Sequence, residues 1–185
     1  NYDKKRYLLV DTAGIRKKAR IGLTLEQYSV MVAIKSIERC DIALLVIDAN
    51  EGMTEQDEKI AGLIYERGKG CIIVVNKWDM LSKETNTAKE YAERIRWKVK
   101  FLQFAPIIFV SALIGQRVFK ILELAGEVLI QLEKRVSTSK LNKFFIDLKK
   151  HHALPFYKGS SVKIYYVTQT NVKPPTFVVF VNFPE

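Results

Sequence analysis

The stretch Cys71–Met80, CIIVVNKWDM, is a run of aliphatic residues that breaks abruptly into Asn-Lys-Trp-Asp. An unbroken apolar run of this kind suits a strand buried on both faces, as in a parallel sheet covered by helices. Its polar end has two readings. One is a strand running out into a solvated loop, where Asn and Asp are common. The other is a ligand site, because open α/β sheets bind ligands just beyond the carboxyl ends of their strands. The rest of the chain decides between them.

Working outward, strands and helices alternate up to residue 134. Tyr7–Val10 reads as a short apolar strand, and Leu25–Arg39 as a helix with Tyr28, Val32 and Ile37 among its apolar positions. Ile42–Ile47 is a fully apolar strand, and Thr54 suits the N-cap of a helix running to Arg67. Gly68 and Gly70 stop that helix before the strand at Cys71–Val75. A charged helix over Glu84–Lys100 precedes a strand at Ile107–Val110. In the next helix Val118, Ile121, Leu122, Ala125, Val128, Leu129 and Leu132 fall on one face. Strands separated by such helices imply right-handed crossovers and a parallel sheet.

After Arg135 the pattern changes. Ser137 can cap a helix with an apolar stripe of Leu141, Phe144, Phe145 and Leu148, flanked by Lys140, Lys143, Lys149 and Lys150. Two β-rich runs follow, Val162–Gln169 and Thr176–Asn182, and the short loop between them predicts antiparallel pairing. The expected organisation is an α/β domain over residues 1–134 and a small α+β module over 135–185.

The 185 residues are 48% hydrophobic and 27% charged, with room for one good core and a small second module. No apolar run approaches the roughly 20 residues that span a bilayer, and no signal-peptide pattern opens the sequence. Cys40 and Cys71 read as reduced, buried thiols, which points to the cytoplasm. The net charge of +10 is uneven, because residues 135–185 carry eight basic and two acidic side chains. A basic module suits a polyanionic partner such as RNA, or a solvated basic surface.

Three strand ends share polar punctuation. LLVDTAG places Asp11, Thr12, Ala13 and Gly14 at one; VVNKWD places Asn76, Lys77, Trp78 and Asp79 at another; FVSAL places Ser111, Ala112 and Leu113 at a third. In a parallel sheet these ends share one edge, so the residues can converge on one ligand. DTAG, NKWD and SAL in this order resemble the third, fourth and fifth motifs of P-loop GTPases. The longer matches DTAGIRKKAR, STSKLN and KPPTFVVFVN resemble the second GTPase domain and KH-like domain of the bacterial tandem GTPase family EngA, also called Der.

The resemblance implies a P-loop NTPase-type parallel sheet, here a partial G domain, followed by a KH-like domain. It also implies GTP hydrolysis in a monomeric, cytoplasmic factor that assembles the large ribosomal subunit, touching ribosomal RNA and neither DNA nor membrane. GTP or GDP and Mg²⁺ would be bound, and K⁺ would assist. Asp79 would accept from guanine N1–H and the exocyclic amine, a donor pair that adenine does not offer. Asn76 would support the base and tie the loop, Lys77 would lie along the base, and Trp78 would shield the pocket. The Ala112 N–H would meet guanine O6. Asp11 would hold Mg²⁺ through water, and the Gly14 N–H would sense the γ-phosphate.

Ile15 stands where many GTPases carry a water-orienting glutamine, which implies slow hydrolysis aided by potassium or a partner. No GxxxxGK[ST] loop precedes Asp11. The strand feeding such a loop would lie beside Tyr7–Val10, so apolar surface is expected on both of its flanks, and this chain alone is expected to be inactive. A further helix and strand are expected after Glu185. Arg16, Lys17, Lys18 and Arg20 suit a solvated switch or an RNA contact. Trp97 reads as a packing residue, Glu51 and Asp57 as cap and surface groups, and His151 and His152 as a helix end. Lys140, Lys143, Lys149 and Lys150 are the expected RNA-binding side chains. Two alternatives stay open: an Era-like GTPase acting on the small subunit, and a non-catalytic RNA-binding scaffold with a vestigial nucleotide site.

Overall fold

β-branched residues fill the centre of the first sheet, where they pack best. The chain, described from a computed structural model, is defined at residues 2, 6–11, 34–82, 84, 86–152, 156–157 and 159–183. It divides into two compact units, Asn1–Leu129 and Ile130–Glu185.

In the first unit, residues 34–39 are helical. Then follow β1 (Ile42–Asp48), α1 (Glu55–Glu66), β2 (Gly70–Asn76), α2 (Thr87–Lys98), β3 (Ile107–Phe109) and α3 (Lys120–Leu132). The strands form a parallel sheet in the order β1-β2-β3. Thr54 caps α1 through a reciprocal pair: its Oγ1 accepts from Asp57 N–H, and the Asp57 carboxylate accepts from Thr54 N–H at 2.9 Å.

β2 is buried on both faces. Cys71, Ile73 and Val75 join Leu45, Ile47, Ile64, Trp78, Tyr91 and Ile95 in one core. Ile72 and Val74 face Ile108 and Val110 under Ile121, Leu124, Ala125 and Val128 of α3. Gly70 fits the tight place where β1 and α3 close on β2. A Cβ there would lie 3.0 Å from both Ile42 Cγ1 and Val128 Cγ1.

One expectation needs correction at the flank of this sheet. Tyr7–Val10 is not a strand, because no strand pairs with it among the described residues, and Leu8 is 90% exposed. β1 buries one face only: Leu45 and Ile47 point inward while Leu44 and Val46 are exposed. Trp97 also departs from expectation. It lies on the surface with the Lys100 ammonium 5.4 Å from its ring centre.

In the second unit Ser137 caps α4 (Thr138–His151), accepting from Lys140 N–H. A short hairpin pairs β4 (Phe156–Tyr157) with β5 (Ser160–Ser161), which the sequence pattern did not signal. β6 (Ile164–Val172) and β7 (Pro175–Val181) pair antiparallel, as the short loop predicts. Polar side chains dock helix to strand. Asn142 Nδ2 donates to Val167 O at 2.9 Å and its Oδ1 accepts from Val167 N–H at 3.0 Å. Gln169 Oε1 accepts from Val136 N–H at 2.7 Å. Of the expected stripe, Leu141 is buried, Phe145 and Leu148 are half-buried, and Phe144 is exposed.

Candidate functional site

The parallel register aligns the carboxyl ends of the strands. Asp48 lies opposite Asn76, and Val75 opposite Phe109, so the segments that follow leave from one edge. Asn76 is the tie between two of them. Its Oδ1 accepts the Ala112 N–H at 3.0 Å, clamping the end of β2 to the loop after β3. The Trp78 N–H donates to Val110 O at 3.0 Å across the same gap.

Between these bonds the chain turns sharply. Lys77 has φ 61°, the left-handed region, which costs a residue with a Cβ about 1–2 kcal/mol. A 3-10 turn, Trp78–Met80, follows, with Met80 N–H bonded to Lys77 O at 3.1 Å. The Trp78 ring is buried beneath the turn, edge-on to Tyr91 and 4.3 Å centre to centre from Phe109. Tyr91 in turn donates its hydroxyl to Ala49 O at 2.9 Å.

The turn leaves Asp79 Oδ1 buried with no hydrogen-bond partner among the described residues. A buried, unmatched carboxylate oxygen is costly unless something donates to it. Ser111 is fully buried beneath the next loop, and its backbone exchanges two hydrogen bonds with Gln116, at 3.2 and 2.9 Å. Leu113 is 87% exposed on that loop.

Asn76, Lys77, Trp78, Asp79, Ser111 and Ala112 thus meet at one edge. Asp11 is exposed at the end of an irregular segment. Thr12, Ala13, Gly14 and Ile15, with the basic run Arg16, Lys17, Lys18 and Arg20, lie outside the described residues. The role given to the Ala112 N–H needs correction: it donates to Asn76 and is not free to face a base.

Asp48 was missed, although IALLVID ends in an acid on the same edge. Its Oδ2 meets Lys77 Nζ at 2.6 Å, and its Oδ1 accepts from Asn50 N–H at 2.9 Å. The Lys77 ammonium, then the Asn50 N–H, hold the Asp48 carboxyl below the usual carboxylate range. The same pairing raises the lysine. Gln116, whose Oε1 is also buried without a partner among the described residues, was missed as well.

In the second unit the four expected lysines are exposed but do not share a face. At about 100° per residue, Lys143 and Lys150 lie close together, Lys140 lies about 60° from Lys143, and Lys149 falls about 180° from Lys140 and about 120° from Lys143. Lys149 Nζ donates to Ile164 O, and Lys150 pairs with Asp147 at 3.0 Å.

A parallel sheet whose strand-end loops carry NKWD and SAL, in a chain that bears DTAG upstream of them in sequence, defines a P-loop-type GTP-binding domain. Residues 1–131 match the family model described as the elongation factor Tu GTP binding domain. Residues 135–185 match the KH-domain-like of EngA bacterial GTPase enzymes, C-terminal. The chain belongs to the EngA/Der family of bacterial GTPases. It is 51% identical over 183 residues to GTPase Der of Trichlorobacter lovleyi, covering 99% of this chain and 41% of the relative. It is 54% identical over 183 residues to GTPase Der of Caldanaerobacter subterraneus subsp. tengcongensis, covering 99% and 42%. The chain therefore spans about two fifths of the length of these curated relatives. Among solved structures, Era in complex with MgGDPNP and nucleotides of 16S ribosomal RNA shares the fold. That match has a TM-score of 0.50 at 23% identity and covers 85% of this chain and 55% of that one.

Proposed function

We propose that the full protein carrying this chain binds guanine nucleotides at the shared strand edge, hydrolyses GTP, and acts in assembly of the large ribosomal subunit. The observation that carries the reading is Asp79 Oδ1, a buried acceptor with no partner among the described residues, at the end of the central strand. Guanine supplies two adjacent donors, N1–H and the exocyclic amine, that would satisfy that carboxylate. Base reading then rests on Asp79. Asn76 fixes the loop through Ala112, Lys77 lines the base, and Trp78 supports the turn from below.

Thr12, Ala13, Gly14, Ile15, Ser111 and Leu113 complete the nucleotide-binding set. Asp11 would hold Mg²⁺ through water. One carboxylate plus phosphate oxygens is the coordination that Mg²⁺ usually takes from a nucleotide-hydrolysing site. Bound there, the metal neutralises charge that develops on the transferred phosphoryl group. Ile15, standing where a glutamine would orient water, leaves hydrolysis to be assisted by K⁺, which would add positive charge near the phosphates. The basic second unit, through Lys140 and Lys143 above all, would contact ribosomal RNA phosphates.

Titration of the full-length protein with GDP and ADP tests the core of this reading. Strong preference for GDP is expected, since adenine leaves the Asp79 carboxylate unmatched. Equal affinity for the two contradicts it.

A further inference from the structure

The carboxyl end of β1 carries an acid that the base-reading set does not use. The Asp48 carboxylate is mostly buried, its side chain 15% exposed, whereas the Lys77 side chain it meets is 54% exposed. The two ends of the pair differ in freedom. Asp48 is anchored by strand pairing with Asn76 and by the Asn50 N–H, independently of the lysine. Lys77 has a long stem and sits at a left-handed backbone position between β2 and the buried Trp78.

An ordinary ion pair between two mobile, exposed side chains contributes little. Here the fixed partner restricts the mobile one. A free lysine stem samples many rotamers, and a ligand that packs on it must remove that freedom. A carboxylate that has already removed it leaves a preorganised surface, which favours binding without adding a contact to the ligand.

We infer that Asp48 is a positioning residue for nucleotide binding: it holds the Lys77 stem in the place where the base lies, and acts on affinity only through that lysine. The inference rests on the proposed guanine-nucleotide site. It extends that site to a residue outside the NKWD segment, supplied by the neighbouring strand. Asp79 chooses the base, and Asp48 prepares the wall beside it.

A double-mutant cycle in the full-length protein tests this, with methylanthraniloyl-GDP as the titrated probe. Asp48→Ala is expected to weaken binding by about three- to tenfold. Asp48→Asn is expected to weaken it less, because the amide oxygen still accepts from the ammonium. In a Lys77→Met background neither substitution should weaken binding further. Equal losses with and without Lys77, or no loss in the wild-type background, overturn the inference. Should Asp48→Ala fail to fold, Asp48→Asn carries the same cycle, and a loss that persists without Lys77 marks Asp48 as merely structural. A wild-type protein that does not bind the probe contradicts the nucleotide site itself. Binding without coupling contradicts only the role of Asp48.

Discussion

The two units hold together by different means. In the first, β2 passes between two apolar layers, and Ile72, Ile73 and Val75 have no exposed surface. In the second, the fully buried apolar residue is Val167, with Leu141 close behind, while Tyr165, Phe177, Val178, Val179 and Phe180 stay exposed among the described residues. There the helix is keyed to the sheet by amides, Asn142 on Val167 and Gln169 on Val136. A rigid apolar strand can hold a strained turn such as that at Lys77 and keep Asp79 Oδ1 unmatched. A ribbon keyed by a few amides leaves apolar side chains of its strands exposed, and the exposed Lys140, Lys143, Lys149 and Lys150 of this unit lie on α4. Under the proposed function, discrimination of a small ligand would fall to the first arrangement, and contact with a large polyanion to the second.

The largest way to break this contrast is at the centre of β2. Ile73→Ala leaves a cavity in a site with no exposure and should cost about 2–5 kcal/mol. Native-state hydrogen exchange in the full-length protein would show protection lost across β1–β3 and kept in β6–β7. Asn142→Leu should do the reverse at a cost of about 1–3 kcal/mol, since it leaves the Val167 N–H and C=O without their helix partner. Phe180→Ala, on the exposed face of β7, should change protection in neither unit. Lost protection in both units after either core substitution would mean that the two do not stand independently.

Charge reversal sharpens the same contrast. Lys140→Glu with Lys143→Glu should weaken binding to ribosomal particles about tenfold or more and lower the slope of log affinity against log salt, with GDP affinity unchanged. Adding Lys149→Glu should change little, because Lys149 lies on the far side of α4 and is bonded to Ile164 O. An unchanged salt slope would mean that the face is merely solvated.

Smaller effects are chemical. Burial pushes the Cys71 thiol up to about 12, so at pH 8 only about one molecule in ten thousand carries the reactive thiolate. Cys71 should resist a thiol reagent until the first unit unfolds, and fast labelling of the native protein would contradict the buried strand. The Asp48–Lys77 pair gives the smallest effect. Asp48 is depressed in the fold, so its contribution is present above its unfolded value of 3.8 and is lost as pH falls through the folded value. Lys77 is raised, so its share is present below 10.5 and is lost only as pH rises through its higher folded value. Asp48→Asn should therefore narrow the stability difference between neutral and acid pH, measured by urea unfolding, and an unchanged difference would show that the pair does not act.

The sequence made the first sheet legible because burial on two faces leaves an uninterrupted aliphatic run, as in CIIVV. It also put the ends of β2 and β3 on one edge, since polar residues that terminate such runs stand out. It did not show that β1 is buried on one face only, because IALLVI looks the same whether or not Leu44 and Val46 are covered. Tyr7–Val10 misled for the same reason: apolar residues permit a strand, but only a partner makes one. Asp48 stayed hidden because its role depends on register with Asn76, a contact between strands that no local pattern encodes. The lysines of α4 looked like one group in the sequence and were divided by helical phase.

The central claim, that the unmatched carboxylate at the end of β2 reads guanine, is tested most directly by exchanging its acceptor for a donor. Asp79→Asn in the full-length protein places an amide N–H where the guanine N–H groups would lie, so it should lose GDP affinity by about a hundredfold or more and gain affinity for xanthosine diphosphate. Parallel titrations with GDP, XDP and ADP would measure this. The account predicts a crossing of the GDP and XDP affinities between wild type and variant, with ADP weak in both. GDP affinity that survives the exchange, or is lost with no gain for XDP in a folded variant, would contradict it.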